Sequence, residues 1–200
     1  MHQHLNKQFY HKAVFENGFT PQGLGWHSKS SQEVRFHQIL SLLPDPLDCV
    51  VDAGCGYGDF CLYLRKHRSD PIGYIGLDAL SIMVHETKKR TGCEAHLCDI
   101  LEDDLPQNEY YVCSGALNIL TKEQSFRFIE RCYEASERGM VFNFLEGHVR
   151  SKTYNYLKAS EIGQLADKLG ARCVFRRSER VKTLPSCFWI WMILKMLTIR

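Results

Sequence analysis

Immediately after the apolar stretch Asp48 to Asp52, the chain reads Ala53-Gly54-Cys55-Gly56-Tyr57-Gly58-Asp59 and then resumes with helical periodicity. A strand that empties into a glycine-rich turn and restarts as a helix opens a βα unit. No other segment constrains the fold as strongly. Downstream, apolar runs alternate with helical patterns, as in a parallel sheet with crossover helices. The pattern predicts strands over 48–52, 72–78, 94–98, 110–114, 140–144, 171–175 and 187–194. The fold class expected is α/β, with a doubly wound, mostly parallel, seven-stranded sheet, an antiparallel last strand and an N-terminal helical cap.

The helices between the strands have readable ends. Thr121 with Gln124 forms a capping-box pattern, and Phe126, Ile129 and Tyr133 follow on one face. Ser160 is placed to cap a helix carrying Ile162, Leu165, Ala166 and Leu169, closed by Gly170. Lys88, Lys89 and Arg90 precede Gly92, where cations complement the helix dipole, so this charge run needs no partner. Ser30 and Glu33 are expected to open an earlier helix with Phe36, Ile39, Leu40 and Leu43 on one side, ended by Pro44 and Pro46. The first residues, with Gly18, Gly23 and Gly25 around Pro21 and Trp26, read as a short helix and a glycine-rich lid loop. The organisation expected is residues 1–46 as N-terminal helices and lid, and 47–200 as the sheet domain, forming one structural unit.

Composition narrows the partners. Two hundred residues, 44% hydrophobic and 24% charged, are enough for one well-cored domain. A formal net charge of +2 argues for neither a nucleic acid nor a membrane surface. The nine cysteines are scattered without a CxxC pair, and the spacings Cys55 to Cys61 and Cys93 to Cys98 suit zinc poorly, so no metal is expected. Scattered thiols inside apolar runs fit a reduced, cytoplasmic protein. The N-terminus is polar rather than signal-like, and the apolar C-terminal run broken by Lys195 falls short of the ~20 residues that span a bilayer. Its β-branched and aromatic content suits a buried strand.

The spacing of the glycine turn separates two ligand classes. A dinucleotide fingerprint, GxGxxG, requires a small third residue where this chain has Asp59. Free backbone N–H groups are expected beside the ligand, with Gly54 and Gly56 allowing close approach. Asp52, just before the glycines, would repel a pyrophosphate and suits an ammonium. Asp78 ends the second predicted strand, where an acid can take both hydroxyls of a ribose.

The run Asp52-Ala53-Gly54-Cys55-Gly56-Tyr57-Gly58 resembles motif I of the class I S-adenosylmethionine (SAM) dependent methyltransferases. The resemblance covers about residues 48 to 195 and implies a Rossmann-like fold. It implies SAM as cofactor, held by Asp52, Gly54, Cys55, Gly56, Asp78 and Ala79. Asp99 would meet the adenine amine, with Ile100 packing on the ring. Ser114 and Gly115 would line the methionine part, and Arg35 could grip the cofactor's carboxylate. Gly25-Trp26, Gln32-x-x-Arg35-Phe36, Ser114-Gly115 and Phe142-Asn143-Phe144 look like a group of small bacterial methyltransferases, which implies fold and cofactor but no acceptor.

Methyl transfer from a sulfonium is an in-line displacement, in which alignment matters and a general base is optional. The acceptor-side candidates are Trp26, His27, Asn118 and Asn143, with Glu146 beyond them. Asn118 and His148 are the candidates for a catalytic role. Asn118 either faces the substrate or caps the loop before Thr121; His148 is either a base or a solvated loop residue. No Asp/Asn-Pro-Pro-Tyr motif is present. The cluster Arg176, Arg177, Arg180 and Lys182 is interrupted by Glu179 and reads as a solvated hairpin rather than an RNA surface. The expected partner is a small-molecule acceptor, with no membrane and no nucleic acid, in a monomer or homodimer. The alternatives are an RNA or protein methyltransferase, a non-catalytic SAM-binding partner protein and, disfavoured by Asp59, a nicotinamide-dependent oxidoreductase.

Overall fold

The computed structural model describes residues 16, 18, 20, 22–24, 26, 28–147, 151, 154–177 and 188–195. Its centre is a seven-stranded sheet in the order β3-β2-β1-β4-β5-β7-β6. The strands are β1 Cys49–Ala53, β2 Gly73–Asp78, β3 Glu94–Leu97, β4 Asn108–Cys113, β5 Ser136–Leu145, β6 Arg172–Arg177 and β7 Phe188–Leu194. Strands β1 to β5 pair in parallel, and β7 runs antiparallel between β5 and β6. All seven predicted strands are present. The first residue of the last one, Cys187, lies outside the described residues.

Both faces of the central strands are covered, which explains why β1 and the middle of β5 read as apolar runs, while the edge strands β3 and β6 carry exposed residues. Consecutive residues alternate between two cores. Val51, Tyr111, Cys113, Met140, Phe142 and Ile193 join one, beneath α4 (Lys122–Ala135) and α5 (Ala159–Lys168). Val50, Tyr110, Val112, Val141 and Met192 join the other, beneath α1 (Lys29–Leu40) and α2 (Asp59–His67). Helix α3 (Ser81–Thr91) packs along β2 and β3. The sequence assigned α1 to a cap, yet Phe36, Ile39, Leu40 and Leu43 enter the same hydrophobic cluster as β1 and α2. Most of the short helix expected before α1 lies outside the described residues.

Several element ends differ from the sequence expectation. Helix α1 is capped by Ser28 and Ser31, not by Ser30 and Glu33. The Ser31 N–H donates to Ser28 Oγ at 3.2 Å, and the Ser28 N–H donates to Ser31 Oγ at 3.3 Å. Helix α5 starts at Ala159, so Ser160 falls inside its first turn, and the Glu161 carboxylate takes the Lys158 N–H at 3.1 Å. At α1 the extended Ser28 reaches a first-turn N–H, whereas at α5 the bond runs the other way, from the extended Lys158 N–H to Glu161. Strand β5 is twice as long as its apolar run because Ser136 both ends α4 and begins the strand, without a loop.

The Thr121 capping box is present: Gln124 N–H donates to Thr121 Oγ1 at 3.2 Å, and Thr121 N–H donates to Gln124 Oε1 at 3.0 Å. Thr121→Ala removes one of the two bonds and is expected to cost about 1 kcal/mol. The thermal midpoint should fall by about 2–4 °C in calorimetry; an unchanged midpoint would show that α4 is held by its buried face alone.

Candidate functional site

Parallel pairing brings the C-terminal ends of β1, β2, β3 and β4 to one edge of the sheet. Chain connections leave β1 and β4 in opposite directions there, opening a crevice. A cleft occupies it. Asp52, Gly54, Cys55, Gly56, Asp78, Ala79, Asp99, Ile100, Ser114, Gly115, Asn118 and Trp26 all line this cleft. These are sequence-selected residues from five separate segments, brought together only by the fold.

The glycine turn itself differs from its expected form. Its backbone donors are not free: the Gly54 and Cys55 N–H groups donate to Leu77 O at 2.8 and 3.0 Å, and Gly58 N–H donates to Cys55 O at 3.0 Å. Gly56 N–H donates to Asp78 Oδ2 at 3.0 Å. Nor do the glycines simply leave room for a ligand. Gly56 has φ +56°, and a Cβ on it would meet the Leu24 methyl carbons at 3.1 Å, while one on Gly54 would meet Ala116 Cβ at 2.7 Å. Leu24 belongs to a short 3-10 turn, Gln22–Leu24, lying against the glycine turn.

Asp78 organises this edge. Its second oxygen accepts the Leu80 N–H at 3.0 Å, and burial raises its carboxyl to about 6 against the lowering effect of these backbone donors. Asp52 is buried with Tyr74 O–H donating to it at 2.6 Å. Burial raises Asp52 to about 7; the Tyr74 bond opposes the rise, and Asp78 and Asp59 add to it through like charge. Burial also pushes the Cys55 thiol well above its ordinary range, so it carries no nucleophile into the cleft.

Asp59, the residue that breaks the dinucleotide spacing, is held on both sides. Arg90 pairs with it at 2.7 Å, and Gln32 Nε2 donates to it at 3.1 Å. The other guanidinium nitrogen of Arg90 donates to Tyr57 O at 2.9 Å. Helices α1, α2 and α3 thus meet at one carboxylate.

At the β4 end, Trp26 lies across Gly115, whose φ is +93° and whose missing Cβ would sit 2.9 Å from the indole. The buried Arg35 guanidinium lies 4.7 Å from the indole centroid, and burial lowers it to about 10. Arg35 is not on the cleft wall, and its Nη1 donates to Ser31 O at 3.2 Å. Asn143 is also behind the wall, buried on β5, with Nδ2 donating to Ser114 Oγ at 2.9 Å. Asn118 lines the cleft, and instead of capping the loop before Thr121 its Oδ1 accepts the Leu145 N–H of β5 at 3.3 Å. Asp99 lines the cleft while its Oδ1 accepts the Leu101 N–H at 3.0 Å. His27 and His148 lie outside the described residues. Sequence reading missed Leu24, Leu80, Met83, Phe128 and Tyr154 on the wall. They come from unrelated segments, and only the three-dimensional arrangement marks them.

The raised Asp52 has a definite pH signature. The folded protein holds its proton at pH values where the unfolded chain has released it, so this group lowers stability as pH rises from about 4 to about 7. Asp52→Asn keeps an oxygen for Tyr74 and removes the titration. The gap in thermal midpoint between variant and parent should therefore widen in the variant's favour across that window; a constant gap would mean that Asp52 titrates as an ordinary carboxylate.

Residues 50–139 match the family described as a methyltransferase domain. No curated protein matches the chain. Among solved structures, the fold resembles magnesium protoporphyrin IX methyltransferase from Synechocystis PCC 6803 with bound SAH, at 15% identity and TM-score 0.69, covering 82% of this chain and 83% of that one. A SAM-dependent methyltransferase from Leishmania major has 18% identity and TM-score 0.71, with 94% and 83% covered. The small RNA methyltransferase HEN1 has 15% identity and TM-score 0.64, with 84% of this chain but 25% of that one covered. Among the described residues, no helix is long and apolar enough to cross a membrane. The match over residues 50–139 and a fold shared with these methyltransferases, reversed β7 included, support a class I SAM-dependent methyltransferase.

Proposed function

We propose that the enzyme transfers the methyl group of SAM to a small-molecule acceptor bound beneath Trp26. The observation that carries the acceptor class is the lack of cationic side chains on the described cleft wall. Its described residues include four carboxylates, Asp52, Asp59, Asp78 and Asp99, and no lysine or arginine. Polyanionic RNA is held by cations along its path. A wall without lysine or arginine among its described residues, roofed by aromatic and apolar side chains, suits a compact acceptor without phosphate groups.

The cleft fits the cofactor on its own terms. Each Asp78 oxygen accepts one backbone N–H and retains acceptor capacity for a ribose hydroxyl. Asp99 and Ile100 would flank the adenine, with Ala79 beside them. Asp52, Gly54, Cys55, Gly56, Ser114 and Gly115 would surround the methionine part, and Arg35 would act from behind Trp26 through its fixed positive charge. When bound, SAM supplies an electrophilic methyl and its own leaving group. The chain's part is to hold the acceptor in line and keep water out. Trp26 covers the approach, Asn143 fixes the Ser114 hydroxyl, and Asn118 ties the wall to β5 through Leu145. Among the described wall residues each of the four carboxylates already accepts a hydrogen bond from the protein.

Calorimetric titration with SAM and with its demethylated product should show micromolar binding, and NAD should give no heat. Asp78→Ala should weaken SAM by tenfold or more, the scale of one or two lost hydrogen bonds, while circular dichroism shows a retained fold. Unchanged affinity would remove Asp78 from the ribose. Methyl-labelled SAM given to the enzyme with separated small-molecule, RNA and protein fractions should label the first. Label in the RNA or protein fraction would overturn the acceptor class, and absence of transfer to any fraction would favour a SAM-binding protein that acts through a partner.

A further inference from the structure

Away from the cleft, Cys61 on α2 and Cys93, just beyond Gly92 at the end of α3, bring their sulfurs to 3.2 Å. Arg65, one turn after Cys61, donates from Nη2 to Cys93 Sγ at 2.9 Å and from Nη1 to Thr91 O at 2.5 Å. Cys61 is buried and Cys93 is half-buried, so only one of the two sulfurs is open to a reagent. Burial first, and the neighbouring Cys93 next, push the Cys61 thiol up to about 12. We propose that Cys61 and Cys93 are a thiol oxidation site, in which a peroxide closes an intramolecular disulfide that staples α2 to α3 behind the cofactor turn.

The geometry gives the two sulfurs different roles. Cys93 meets the oxidant, with a guanidinium in contact to favour its reaction as a nucleophile. Its sulfur attacks one peroxide oxygen, the O–O bond breaks and water leaves, giving a sulfenic acid. The Cys61 sulfur then displaces the hydroxyl from Cys93. The S–S bond forms and a second water carries away the Cys61 proton. A dithiol reductant reverses the change by exchange. Closing the contact to a bond shortens the sulfur separation by about 1 Å, so the helices need little adjustment.

The pair is also tied to the glycine turn by hydrogen bonds. Cys93 N–H donates to Thr91 Oγ1 at 3.0 Å, Thr91 Oγ1 donates to Thr87 O at 2.7 Å, and Thr87 Oγ1 donates to Gly56 O at 2.8 Å. Since the sulfurs already touch, a bond between them fixes this path in its present shape. Oxidation is therefore expected to preserve the cofactor turn and raise its resistance to unfolding.

The test treats the full chain with graded hydrogen peroxide, blocks remaining thiols after unfolding, and maps linked peptides by mass spectrometry. A Cys61–Cys93 link should appear first, with Cys98, Cys113 and Cys132 still alkylated as internal controls, because all three are buried. The thermal midpoint should rise by about 5 °C or more, SAM affinity should stay within about threefold, and dithiothreitol should restore the starting state. Cys93→Ser should abolish both the link and the thermal shift; Cys61→Ser should instead leave a trappable sulfenic acid at Cys93. A different first pair, or peroxide treatment that leaves Cys61 and Cys93 alkylatable, would overturn the assignment. A link that lowers the midpoint or removes SAM binding would overturn the stapling role.

Discussion

The Asp78 carboxylate is the constraint from which the cofactor edge is built. One oxygen takes the Gly56 N–H and the other takes the Leu80 N–H, so a single side chain fixes the turn after β1 and the turn after its own strand. The neighbouring N–H groups of Gly54 and Cys55 are fixed to the same strand through Leu77 O. A phosphate-binding turn works in the opposite way, leaving its donors pointing at an anion. Here the donors are engaged within the protein, and what faces the cleft is carboxylate. That reversal, more than the presence of glycines, separates a site for a cationic nucleoside from one for a dinucleotide.

Asp59 extends the same logic outward. In a dinucleotide turn a small residue lets helix and strand pack closely; here the position carries a charge that gathers Gln32 from α1 and Arg90 from α3. The turn is thereby braced by helices that the sequence places far apart. The N-terminal segment follows from this bracing. Helix α1 contributes Gln32 to Asp59 and three buried apolar side chains to the core, and Leu24, just before it, fills the space above Gly56. The segment belongs to the site's foundation as well as to its cover.

The legible parts of the fold were those set by local pattern. Buried strands announce themselves as apolar runs, and the Thr121–Gln124 box depends only on neighbours in the chain, so both were readable. Helix starts at Ser28 and Lys158 were missed because several hydroxyls and acids near each end compete for the same N–H groups, and backbone geometry decides between them. Asp52 and Asp78 could be selected because each sits at the end of a largely apolar strand, and Asp99 through its likeness to the family's adenine pair. Their engagement could not. The pairing of Tyr74 with Asp52 needs the register of β1 against β2, and the closure of the turn's donors needs Leu77 O at hydrogen-bonding distance. Long-range partners of this kind leave no periodic trace.

The acceptor end was least legible for a chemical reason. A sulfonium brings its own leaving group, so the protein is not compelled to place a nucleophile, a metal or a base at a recognisable spacing. The structure is consistent with that freedom: Asn118 and Asn143 hold backbone and Ser114 rather than standing free, and Trp26 lies against Gly115 with Arg35 close to its ring. On the proposed reading, selectivity then resides in the shape left between an indole and the end of β4. Shape of that sort is written by whichever side chain fits against Gly115, which is why a glycine at that position, rather than a charged residue, is the most informative letter on the acceptor side.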